Sequence, residues 1–218
     1  LFSRVQADSN VSVGAFAGMF VHGNPLLAFE SLIGYYRARD ERATVVSTER
    51  MGVTKSRLTV DELLEALTDP RFNVRFEAII SIARMGPEPR LVKALTGILD
   101  GTELSLSVIS AWALGRMGDD DALPALRNGL NSSYRSIQSH CARSLGTLGD
   151  QESVPVFLSR IQTETDKGLR IAYASALGNL HVREAVPHLL LLLEEIENEG
   201  ARMELALSLA RILGGEQP

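Results

Sequence analysis

Apolar residues return along this chain in blocks about one helix pair apart. Five segments show the period: V-R-F-E-A-I-I-S-I-A-R-M-G (74–86), L-S-V-I-S-A-W-A-L-G-R-M-G (106–118), I-Q-S-H-C-A-R-S-L-G-T-L-G (137–149), L-R-I-A-Y-A-S-A-L-G-N-L-H (169–181) and A-R-M-E-L-A-L-S-L-A-R-I-L (201–213). They begin at Val74, Leu106, Ile137, Leu169 and Ala201, a nearly constant interval. Ile79, Ala111, Ala142, Ala174 and Ala206 form one column, and Ile82, Leu114, Leu145, Leu177 and Leu209 a second. Ala83, Gly115, Gly146, Gly178 and Ala210 form a third that is always tiny. Spacings of three and four within each block put these positions on one helical face.

The stretches between the blocks repeat too. Val92, Pro124, Pro155 and Pro187 share a column, each followed by an apolar helical pattern, and Thr59 to Leu67 carries the same element one period earlier. Proline fits the first turn of a helix, where its missing N–H costs nothing. Each unit is therefore expected to be a helix, a short loop, a second helix and a turn. Five such pairs run from about Leu58 to Leu213. A single pair cannot bury its apolar face alone, whereas a stack can, which is the logic of a solenoid. The tiny column marks where two helices cross closely. Gly86, Gly118, Gly149 and Gly214 sit where a left-handed residue commonly ends a helix. Asp119, Asp120 and Asp121 are placed to cap the helix that follows.

The words D-P-R-F-N-V-R (69–75), A-L-G-R-M-G-D (113–119), S-L-G-T-L-G-D (144–150) and the A-V-P-H-L helix starts resemble HEAT repeats of the short, phycobilisome-lyase-like kind. The resemblance covers about 155 of 218 residues. It implies an all-α fold: a right-handed α-solenoid, a HEAT/armadillo-like superhelix of about five helix pairs, with an N-terminal helical extension. In such solenoids an arginine in the column of Arg75, Arg170 and Arg202 pairs with an aspartate of a neighbouring repeat, which makes Asp69, Asp100 and Asp166 the candidate partners. The last unit, opened by Gly200-Ala201-Arg202, is the expected C-terminal cap.

The segment 1–56 stands outside the period and is taken as a helical cap or connector, with 57–218 as the repeat domain. Ser12 to Val21 predicts a small-residue helix and Pro25 to Arg39 an amphipathic one, while the polar stretch from Arg39 to Arg57 suggests a linker. V-S-V-G-A-F-A-G-M-F-V-H-G-N-P, followed by the D-E-L-L-E-A-L-T-D-P repeat start, is similar to the soluble tail of some bacterial major-facilitator transporters. That resemblance implies a cytoplasmic module at the inner face of the membrane, attached to a permease preceding Leu1.

Composition narrows the chemistry. The net charge of −5 and a pI near 5.5 argue against general nucleic-acid binding. One cysteine rules out an internal disulfide framework. The most apolar early stretch, Val11 to Val21, is about half of what a membrane span needs, so this fragment does not itself cross a bilayer. His22, His140, His181 and His188 lack metal-ligand spacing, and Cys141 has no histidine partner implied. G-R-M-G-D and G-T-L-G-D are not phosphate loops, since they end helices rather than open them after strands. No catalytic, cofactor or metal residue is expected.

What remains is the face of each second helix turned away from the core: Glu77-Ile80-Arg84, Ile109-Trp112-Arg116, His140-Arg143-Thr147, Ala172-Ser175-Asn179 and Glu204-Leu207-Arg211. Residue type is not kept between units there, so packing does not dictate it. The resemblance places this face in the concave groove. Ile109 and Trp112, surrounded by Arg84, Arg116 and Arg143 with Glu77 and His140 nearby, have the composition of an interface hot spot. The alternative is that Trp112 packs under the segment before the repeats or a neighbouring helix. The expected function is a non-enzymatic scaffold for a protein partner or an attached transporter; the alternative is a phycobilin-lyase-like enzyme or lyase subunit.

Overall fold

The computed structural model describes residues 41–54 and 59–214. All regular structure among them is helical: α1 (Glu41–Thr54), α2 (Val60–Ala66), α3 (Phe72–Met85), α4 (Pro89–Leu99), α5 (Leu104–Met117), α6 (Leu123–Gly129), α7 (Arg135–Leu148), α8 (Val154–Thr163), α9 (Lys167–Asn179), α10 (Val186–Glu195) and α11 (Glu199–Leu213). Short 3-10 turns at 120–122, 151–153 and 183–185 lead into α6, α8 and α10. The five expected pairs are present as α2/α3, α4/α5, α6/α7, α8/α9 and α10/α11. The chain divides into two compact units, Leu1–Gly86 and Pro87–Pro218.

In the first unit, α1 and α2 both pack on α3. The helix α1 replaces the linker expected over 39–57. Its buried side includes small hydroxyls (Thr44, Ser47 and Thr48) together with Met51 and Gly52, so apolar patterning does not announce it. The hydroxyls stay satisfied: Thr48 Oγ1 donates to the Thr44 carbonyl at 2.8 Å, and Ser81 Oγ donates to the Thr48 carbonyl at 2.8 Å. Gly52 lies one period before Ala83, which makes α1 a second helix of the same series. The helices expected at 12–21 and 25–39 lie outside the described residues.

In the second unit, α5, α7, α9 and α11 pack in sequence as one layer, and α4, α6, α8 and α10 each pack on their own second helix. The tiny column is the reason for the close layer. A Cβ on Gly115 would lie 2.8 Å from the Ser144 Cα and 2.6 Å from its Cβ. Gly146 meets Ala176 and Gly178 meets Ser208 in the same way, and Gly52 meets Ser81 in the first unit. The facing residues are therefore small as well: Ser81, Ser144, Ala176 and Ser208, each two positions before its own helix's tiny residue. Ser144 Oγ donates to the Ala111 carbonyl at 2.7 Å, repeating the Ser81–Thr48 bond of the first unit.

Helix ends follow from local chemistry. Asp119 accepts from the Asp121 amide at 3.0 Å and so opens the turn before α6; Asp166 and Asn198 cap α9 and α11 by accepting from Leu169 and Ala201. Pro124, Pro155 and Pro187 open α6, α8 and α10, but in α4 the opening proline is Pro89, three positions before Val92. Gly118 and Gly149 are left-handed, as expected, and Gly86 shares their positive φ. Gly214 does not, with φ −83°. His181 occupies the Gly118 and Gly149 column with φ 55°.

The arginine column bonds backbone carbonyls, and Arg170 also pairs with the Glu195 carboxylate of the next repeat rather than with an aspartate. Arg75 Nη1 donates to the Asp69 and Pro70 carbonyls, Arg170 Nε to the Ile161 carbonyl, and Arg202 Nη1 to the Leu193 and Ile196 carbonyls. Ser107 and Gln138, at the same column, bond the carbonyls of Ile98 and Ser132. Every column member thus satisfies carbonyls at or just beyond the end of the preceding first helix, where the helix leaves its last acceptors without partners. Asp69 pairs with Arg71 instead, and Asp166 pairs with Arg135 of the neighbouring repeat. At the two columns that are buried in every preceding second helix, α11 exposes Ala206 and Ala210, with the exposed Met203 beside them.

Candidate protein-binding face

The exposed side of the second-helix layer is built from positions a helical turn or two apart: 109, 112 and 116 on α5, and 140, 143 and 147 on α7. These helices lie side by side, so Ile109, Trp112, Arg116, His140 and Arg143 share one face of the second unit. Trp112 keeps 36% of its surface open to solvent, Ile109 is half-buried and Arg116 is exposed. Trp112 is thus not a covered core ring among the described residues. Glu77 and Arg84 belong to α3 in the first unit, where Glu77 is half-buried and Arg84 exposed.

Glu77, His140 and Arg143 each have neighbours that engage them. Burial and the neighbouring Glu49 carboxylate raise the Glu77 carboxyl above the usual range, while Arg84 and the Ser81 hydroxyl pull it the other way. His140 holds its Nδ1 2.8 Å from the Ser136 carbonyl on its own helix. Arg143 is half-buried, and burial lowers its pKa. Its guanidinium forms a two-pronged ion pair with Glu204, with Nη2 3.2 Å from Oε2 and Nη1 on Oε1.

Sequence reasoning misses that partner. Glu204 lies on α11, two repeats beyond Arg143, and the bond crosses over α9. The positions it crosses are Ala172, fully buried, and Ser175, 8% exposed. Only small side chains at 172 and 175 leave room for the pair. Their smallness, together with Glu204 standing in the His140 column, is the signal the sequence offers.

The other candidates for chemistry have structural roles. Cys141 is buried between helices, and burial, with the Asp100 charge adding to it, pushes its thiol up to about 12. Such a thiol is inert at neutral pH. Tyr173 is fully buried, stacked on Phe157 at 5.8 Å between centroids. His181 sets its Nδ1 2.8 Å from the Arg211 carbonyl of the next repeat. No three His, Cys, Asp or Glu residues among those described are grouped to hold a metal. None of the described helices is long and apolar enough to cross a membrane.

Comparison with known proteins agrees with the repeat architecture. A family model described as HEAT repeats matches residues 105–178, from α5 into α9. No curated protein sequence matches the chain. Among solved structures, an engineered protein from a structural genomics consortium is similar over 88% of this chain and 98% of its own, with 20% identity and a TM-score of 0.53. A designed armadillo repeat protein is similar over 83% of this chain and 98% of its own, with 13% identity and a TM-score of 0.51. The complex of CpcE and CpcF of phycocyanin lyase from Nostoc sp. PCC7120 is more distant, with 15% identity over 88% of this chain and 97% of its own and a TM-score of 0.46. The chain has the fold of an all-α solenoid similar to HEAT and armadillo repeat proteins.

Proposed function

We propose that this chain is a non-enzymatic scaffold that binds a protein through the exposed face of its second-helix layer. The observation that carries this is Trp112: the only tryptophan, open to solvent on a face of packed helices, beside an exposed arginine and a half-buried isoleucine. Tryptophan and arginine dominate interface hot spots because each brings a large contact area that few other side chains match. Supporting it, the repeat-column arginines, Ser144 and His181 bond backbone carbonyls, and Arg170 adds an ion pair to Glu195 of the next repeat, all of which is architecture. Selecting peptides from a displayed library on the purified chain tests the reading. Binders should lose affinity on Trp112→Ala and on Ile109→Ala. Selected binders indifferent to both substitutions would refute it.

A finer placement rests on the similarity of residues 11–25, with the repeat start that follows them, to the soluble tail of some bacterial major-facilitator transporters. In that reading the scaffold is the cytoplasmic module of a permease and regulates it. Several hydrophobic spans encoded directly upstream of Leu1 would support it, and their absence would end it. The lyase-type alternative predicts that the purified chain binds a linear tetrapyrrole and becomes coloured; the scaffold reading predicts a colourless mixture.

A further inference from the structure

The chain is acidic overall, yet the exposed face of α5, α7, α9 and α11 is not. Its positions carry Arg116, Arg143 and Arg211 against a single carboxylate, Glu204. That carboxylate does not sit beside its cation in sequence or on an adjacent helix. It reaches across α9 to grip Arg143 with both oxygens, the fork-to-fork geometry by which arginine recognises carboxylates generally. Trp112 and Arg143 hold the same column on neighbouring helices, so an apolar anchor and a carboxylate site stand one helix spacing apart.

We infer that this face takes an acidic peptide segment with one apolar anchor, and that Glu204 occupies the Arg143 site as an internal stand-in for the peptide's carboxylate. The inference rests on the protein-binding reading above and specifies its partner. The anchor packs on Trp112 and Ile109; a carboxylate of the segment displaces Glu204; Arg116 supplies a further cation. Helices packed at about 8 to 10 Å and an extended rise of about 3.3 Å per residue set the anchor and the key carboxylate two to three residues apart. The small side chains at Ala172 and Ser175 keep the path over α9 open for either carboxylate.

The probe is a fluorescein-labelled heptapeptide, Asp-Phe-Ser-Glu-Glu-Ser-Asp, titrated with the full chain by fluorescence anisotropy at low salt, beside a counterpart with every acid replaced by its amide. The acidic peptide should bind saturably and at least about tenfold more tightly than the amide peptide. Glu204→Gln, which frees Arg143, should tighten it about fivefold, the scale of one partly exposed ion pair. In an Arg143→Gln background the Glu204→Gln change should add nothing. Arg116→Gln, at an exposed position, should weaken the acidic peptide without altering the circular dichroism of the chain. Equal affinity for the two peptides, no tightening on Glu204→Gln, no saturable binding, or binding only to phosphatidylserine vesicles would each overturn the inference. Equal binding of both peptides that is lost on Trp112→Ala removes the acid preference alone and leaves the protein-binding reading standing. Binding indifferent to Trp112→Ala removes both.

Discussion

Two helical glycines of the second unit make opposite predictions for one substitution. Gly97, in α4, is exposed and has nothing within 4 Å of where a Cβ would lie. Gly115, in α5, would put that Cβ 2.6 Å from the Ser144 Cβ and 2.8 Å from its Cα. Alanine is worth about 1 kcal/mol over glycine in a helix interior, so Gly97→Ala should stabilise by nearly that. Gly115→Ala gains the same propensity but must push α7 away. Overpacking a close contact costs about 1–3 kcal/mol. The Ser144–Ala111 hydrogen bond at that crossing is worth about 1 kcal/mol more if it is lost. The net expectation is a loss of about 2 kcal/mol, opposite in sign to Gly97→Ala. For a chain of this size 1 kcal/mol moves the midpoint by about 2–4 °C. Thermal unfolding followed by circular dichroism should therefore show Gly97→Ala about 3 °C higher and Gly115→Ala about 6 °C lower than the parent. If Gly115→Ala rises alongside Gly97→Ala, the second helices are not in backbone contact and the role given to the tiny column is wrong.

Four further outcomes follow from other contacts. Trp112→Ala should cost less than the roughly 3–5 kcal/mol of a core tryptophan, and the indole of the parent should be readily quenched by acrylamide; a larger loss would make the ring structural. Cys141 should resist Ellman's reagent at about pH 8 and react only on unfolding. Because its folded pKa of about 12 lies above the ordinary thiol value, its contribution to stability is intact below that ordinary value and declines as pH rises towards about 12, a decline that Cys141→Ala should remove. Asp150 is buried, which alone would raise its pKa, but bonds from Arg127 at 2.9 Å and Ser153 at 2.5 Å hold it below the usual carboxylate range. Its contribution is therefore present above that range and lost as pH falls through the depressed value; Asp150→Asn should cost about 1–3 kcal/mol near neutrality and flatten the acid limb of the stability curve. His181→Gly should be nearly neutral in urea unfolding, since relief of a left-handed side chain, about 1 kcal/mol, offsets the lost contact with the Arg211 carbonyl, whereas His181→Ala should be clearly destabilising.

The buried columns are legible because burial repeats. Every second helix that is covered by the next must put something apolar at the positions of Ile79 and Ile82, and something tiny at that of Ala83, so the period shows through unrelated side chains. Residues 41–54 escape the same pattern because hydroxyls stand where apolar groups usually do. Thr48 and Ser81 become acceptable core residues only once each has a carbonyl to bond, and those carbonyls belong to the fold. The arginine column is visible as a column, but its carbonyl acceptors are not, because backbone carbonyls carry no residue signature; the carboxylate that Arg170 does meet is Glu195, not one of the aspartates the column suggests.

Periodicity is enough to define the helix pairs, the depth of each column and the exclusion of Trp112 from the repeat core, because these depend on spacing within one helix or from one helix to the next. Who meets whom across the exposed face is a matter of three-dimensional packing. Arg143 and Glu204 are 61 residues apart, and nothing in helical spacing links them. They meet because glycine and serine draw the second helices close while Ala172 and Ser175 leave a gap that two long side chains can span. That outcome belongs to packing geometry, which a period of one helix pair prepares but does not contain.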